Sequence, residues 1–165
     1  MKPQDLEAAF RSVIIRVPIL IGNEVVNFAL DNFKKQGFLG NSFQPWAKRK
    51  NPTRWGTVPP RNGRAILVDA GHLRRSIRIT TVTQDAVGVG SDIPYAKTHN
   101  EGLRIGQIQT VSSFQRKGKK GTHTVKSHTR KVNVNIPQRQ FLGNSPYLVA
   151  KIRRVVSAEI MKALR

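Results

Sequence analysis

The sequence predicts an α+β domain: an antiparallel sheet packed against N- and C-terminal helices, with a long irregular arm and a basic hairpin loop. Three observations lead there. Apolar residues recur at three-to-four-residue steps near both ends, alternate with a period of two in the middle, and lose all period in a stretch rich in glycine and proline. The 165 residues suit one domain, and a hydrophobic fraction of 38% supplies a modest core.

The first helix is expected over Leu6–Phe33, where Leu6, Phe10, Val13, Val17, Leu20 and Phe28 share one apolar face. Pro3 suits its first turn, with Asp5 and Glu7 at the positive end of the helix dipole. Pro18 removes a backbone donor and crowds the carbonyl of Ile14, so a kink or break is expected there, and Gly22 weakens the helix again. Lys34, Lys35 and Gly37 make a suitable end.

Residues 37–65 read as the irregular arm, punctuated by Gly40, Pro45, Pro52, Gly56, Pro59, Pro60 and Gly63. Trp46 and Trp55 need something to pack on. They either cap the domain's own core or dock the arm onto a neighbouring subunit, and both are candidate interface residues.

Beyond the arm, Ile77, Ile79 and Thr81 alternate with Arg78 and Thr80, a turn falls at Thr83–Asp85, and Val87 and Val89 follow, which is a hairpin pattern. Val132, Val134 and Ile136 mark a half-buried strand that stops at Pro137, and a strand at Ile105–Val111 would pair antiparallel with it. The last helix is expected over Pro146–Leu164, with Ser145 as N-cap and Pro146 at the first helical position. Leu148, Ile152, Val155, Val156 and Ile160 line its apolar face, leaving Lys151, Arg153 and Arg154 solvated.

Charge narrows the function. Lys and Arg number 29 against 9 Asp and Glu, for a net charge of +20 and a pI near 11.6. An anionic partner is expected: nucleic acid, anionic lipid or an acidic protein surface. The absence of cysteine excludes disulfides, thiolate zinc sites and a Cys nucleophile, and suits a reducing cytosol. The apolar cluster at Ile19–Ile21 is too short to span a bilayer and lacks a signal-peptide cleavage pattern, so no membrane partner is expected.

Catalysis is poorly supplied. His123 and His128 lie in a basic segment without a nearby carboxylate, and His99 with Glu101 completes no nuclease motif. The chain has no nucleophile elbow, phosphate loop or dinucleotide fingerprint. No enzyme, cofactor or metal is expected.

The basic loop, residues 113–131, concentrates the charge in Arg116, Lys117, Lys119, Lys120, Lys126, Arg130 and Lys131, and no acid occurs between Glu101 and Glu159. A glycine-flanked tip of this kind contacts phosphates without reading sequence. Its alternatives are docking on an acidic protein surface and plain solvation.

Four stretches carry a resemblance. The first, Phe33 to Ala47, holds a shortened aromatic segment, Phe43-Gln44-Pro45-Trp46. The second, Ile66 to Ile77, contains Asp69, Gly71, Leu73 and Ser76, with Ala70 at a position usually Thr. The third runs from Val87 through Ser91 to Tyr95, His99 and Gly102, and the fourth is Ile136 to Gly143 with Arg139 and Phe141, Gln140 replacing a usual Pro. From about Phe33 to its C-terminus the chain resembles the virion morphogenesis, or tail-completion, family of tailed bacteriophages.

The motif residues themselves read as structural. Gly71 permits a turn, Gly102 ends the Tyr95–His99 segment, and Arg139 and Phe141 anchor the chain before the last helix. The resemblance implies a single tail-completion domain over residues 1–165, working as a non-enzymatic structural protein of the phage neck or tail top. It further implies a homo-oligomeric ring that helps join the tail to the DNA-filled head, assembled in the host cytoplasm and retained in the virion. Its partners would be itself, other neck, connector or tail proteins, and genomic double-stranded DNA contacted non-specifically. The alternative is a free-standing basic nucleic-acid-binding module.

Overall fold

Apolar spacing builds a helix at each end of the chain and short antiparallel pairs between them. The computed structural model describes residues 3–48, 65–118 and 121–164. Its elements are α1 (Pro3–Lys35), β1 (Gly37–Leu39), β2 (Phe43–Pro45), α2 (His72–Ser76), β3 (Arg78–Val82), β4 (Val87–Gly90), α3 (Ala96–Glu101), β5 (Leu103–Val111), β6 (Phe114–Gly118), β7 (Gly121–Val125), β8 (His128–Ile136) and α4 (Pro146–Ala163). The class is α+β. Where a single sheet was expected, the described strands form four separate antiparallel pairs, β1–β2, β3–β4, β5–β8 and β6–β7. The short helices α2 and α3 precede β3 and β5, separating the β1–β2, β3–β4 and β5–β8 pairs along the chain.

The first helix runs unbroken through Pro18, where a kink or break was expected. Pro18 is buried. Gly22 has a packing reason: a Cβ there would lie 2.6 Å from Cδ1 of Ile79 and 2.9 Å from Val87, so its bare backbone lets β3–β4 close onto α1.

Two ion pairs tie α1 to α4. Arg16 meets Glu159 at 3.2 Å, and Lys151, expected to stay solvated, meets Glu24 at 2.7 Å. The hydrogen bond to Glu24 is the main cause that raises the Lys151 pKa above its ordinary value. As expected, Ser145 caps α4: its hydroxyl accepts the Leu148 N–H at 3.3 Å and donates to the Leu39 carbonyl at 2.6 Å.

Continuity also changes the reading of length. Glu7–Lys35 is long and apolar enough to cross a membrane by length and composition, although the Ile19–Ile21 cluster alone is too short. In this fold the second half of α1 serves the core instead. Ala29 and Phe33 pack with Trp46, Leu73, Ile77, Ala96 and Phe141, and Phe28 packs with Phe38 and Leu148. The first half keeps Phe10, Ile14, Ile15 and Ile19 exposed.

Candidate functional site

The motif residues converge through backbone geometry. Gly71 sits at φ +79°, the left-handed region that glycine enters without strain, and turns the chain into α2. That helix buries Leu73, and Ser76 donates to the Leu73 carbonyl at 2.8 Å while its hydroxyl lies 2.6 Å from that of Ser91 at the end of β4. A cleft of about 190 Å³ forms where this turn meets α3, lined by Asp69, Gly71, His72, Leu73, Tyr95 and His99 among others. Two motifs far apart in sequence therefore share one small surface depression.

The third and fourth motifs lock together behind it. Gly102 adopts φ +78°, and a Cβ there would lie 3.0 Å from the Gln138 nitrogen and 3.2 Å from the Ile136 carbonyl oxygen. Arg139 is buried, its backbone N–H donates to the His99 carbonyl at 2.7 Å, and its Nε donates to the Ala47 carbonyl at 3.1 Å. Phe141 packs on Phe33 with ring centroids 5.1 Å apart. The His99 ring stands edge-on to Tyr95 at 5.9 Å, and its Nδ1 is buried with no hydrogen-bond partner among the described residues. Burial, and then the charge of Arg139, lower its pKa below 6.5, so the imidazole is neutral at pH 7.

Three amides that motif reading missed hold the arrangement. Asn32, fully buried, donates to the Phe141 carbonyl at 3.2 Å and accepts the Leu39 N–H at 3.3 Å. Asn100 accepts the N–H groups of Phe141 and Leu142 at 2.9 and 3.0 Å. Gln36 binds the Phe33 carbonyl and both backbone groups of Ile66. Asn32 had a visible signal: it stands one helical turn beyond Phe28 on an apolar face, where only a bonded amide is tolerated.

Trp46, a candidate interface residue, lies in its own chain's core at 6% exposure. It packs edge-on against Phe33 at 5.3 Å and donates its indole N–H to the Gln140 carbonyl at 2.7 Å. Trp55 lies outside the described residues, as do Lys119 and Lys120.

The basic segment is ordered as a β-arm. Strands β5 and β8 pair in continuous register from Leu103–Ile136 to Val111–His128, and β6–β7 extends the ribbon with Arg116 opposite His123 and Lys117 opposite Thr122. Successive side chains on a strand point to opposite faces, so Arg116 and Lys117 flank the ribbon. Arg130 donates twice to Oε1 of Gln109, at 2.9 and 3.1 Å, and Lys131 stands opposite Ile108. Lys126 lies in the link between β7 and β8. These cations are exposed; in the strand Val132–Ile136, Val132 and Ile136 are half-buried as expected, while Val134 is 36% exposed. No group of three or more His, Asp or Glu side chains among the described residues is placed to hold a metal.

The model of the phage virion morphogenesis family matches residues 11–161. No curated protein and no solved structure matches the chain. A match over nearly the whole chain covers both helices, the motif junction and the arm, and the chain belongs to the phage virion morphogenesis family.

Proposed function

We propose that this chain is a non-enzymatic structural protein of the phage neck or tail top. It acts as a homo-oligomeric ring that helps join the tail to the DNA-filled head. Membership of a virion morphogenesis family supports an assembly role in the virion, built in the infected host. The observation that carries the finer reading is the β-arm: an exposed ribbon with no acid between Glu101 and Glu159, mounted on a core that Ser76, Arg139 and Phe141 hold together.

Such an arm suits a polyanion or an acidic neighbour. Arg116, Lys117, Lys126, Arg130 and Lys131, with Lys119 and Lys120, offer point charges on a narrow ribbon, which favours sequence-blind contact with genomic duplex DNA. The same cations would also serve docking on an acidic neck, connector or tail protein.

Antibody-gold labelling of purified virions tests the location. Label at the head–tail joint is expected. Label confined to the capsid faces or the distal tail tip would contradict the reading.

A further inference from the structure

Two apolar surfaces are left wholly or partly uncovered among the described residues. One is concave: a groove of about 540 Å³ between the first half of α1 and the β3–β4 turn, lined by Ile14, Ile15, Pro18, Ile19 and Val82 among others. Ile15 is 71% exposed there. The other is a strip on one face of the arm. The pairings Leu103–Ile136, Ile105–Val134 and Gln107–Val132 place five apolar side chains on the same side of β5–β8. A two-stranded ribbon is marginal in water by itself, so this face gains from a cover.

We infer that the apolar face of the β5–β8 arm of one copy packs into the α1/β3–β4 groove of the next copy. The inference rests on the proposed homo-oligomer and names its contact. Charge decides the pairing. Arm against arm would set two acid-free cationic ribbons together, which is repulsive. The groove instead has, among the described residues, a free carboxylate at its border, Asp85 next to the lining Gln84, while its lining cation, Arg11, is already paired with Glu7 at 2.9 Å. Arg130, on the same face as the strip one pairing beyond Gln107–Val132, supplies the opposite charge.

Size also fits. Nine residues of β5 extend roughly 30 Å, about the diameter of a small domain, so the arm spans a neighbour of its own size. A contact between two different surfaces is heterologous. Each copy keeps one free groove and one free arm, and the chain of contacts closes into a ring when the rotation allows.

The lack of native cysteine makes the test clean. Ile15→Cys and Val134→Cys are made separately and together in the full chain, at exposed sites that leave the core untouched. Each is treated with a short bis-maleimide, and native size is measured by light scattering. Neither single variant should cross-link alone, their mixture should give covalent dimers, and the double variant should give a ladder of multimers. Cross-linking within one single variant would show an isologous contact and overturn the inference. A native oligomer whose mixed variants do not cross-link would overturn this contact while leaving the homo-oligomer standing. A monomer at every concentration and salt would remove both.

Discussion

The carbonyl of His99 accepts the backbone N–H of Arg139 at 2.7 Å, joining the short helix α3 to the segment that follows the arm. This bond closes the base of the arm, because β5 leaves just after His99 and β8 returns just before Arg139. The cationic ribbon is therefore hinged on motif residues, and the stability of that hinge is the first quantity to measure.

Asn100 accepts two backbone N–H groups beside the same hinge. Asn100→Ala should leave both donors unpaired and cost about 1–3 kcal/mol of unfolding free energy. Asn100→Asp keeps an acceptor and should cost less. Urea denaturation of the two variants measures the difference, and equal losses would contradict the role given to Asn100.

Trp46→Ala should cost about 3–5 kcal/mol, since it removes a buried ring and the indole bond to Gln140. A loss of oligomer with an unchanged denaturation midpoint would place Trp46 at an interface instead.

Acid should loosen the fold through His99. Its folded pKa is lowered, so the unfolded chain binds more protons and stability rises with pH across the affected range. The contribution is fully present above the ordinary value of 6.5 and is lost as pH falls from there towards the lowered folded pKa. His99→Gln should flatten the fall in melting temperature as pH drops below 6.5. A profile as steep as that of the unchanged protein would exclude His99 as its source.

Replacing Arg116, Lys117, Arg130 and Lys131 with Ser should weaken binding to unrelated duplexes equally. It should also flatten the log–log salt slope by up to roughly 3–4 units. An unchanged slope with unchanged affinity would take DNA away from the arm and leave an acidic protein surface or plain solvation.

The elements most legible in the sequence are those fixed by local chemistry. Ser145-Pro146 marked the start of α4, the alternation at Val132–Ile136 marked its strand, and Gly71 and Gly102 marked their turns. Tertiary packing overrode local propensity elsewhere. Helix α1 continues through Pro18 because α4 and β3–β4 hold it from the side, and Gly22 is a contact point for β3 and β4. Strand alternation revealed two faces on the arm, yet alternation is identical whether a face meets its own core or another molecule. Val132 and Ile136 are half-buried as that alternation predicts, while Val134 on the same face is more open. The motif positions were legible as residues; the cleft joining Asp69 to His99 was not, because it forms between segments some thirty positions apart.

Electron microscopy of the lysate from a phage lacking this protein tests the central claim most directly. The account predicts DNA-filled heads and separate complete-length tails that fail to join, with joining restored by adding the purified chain. Normal joined particles in that lysate would contradict it.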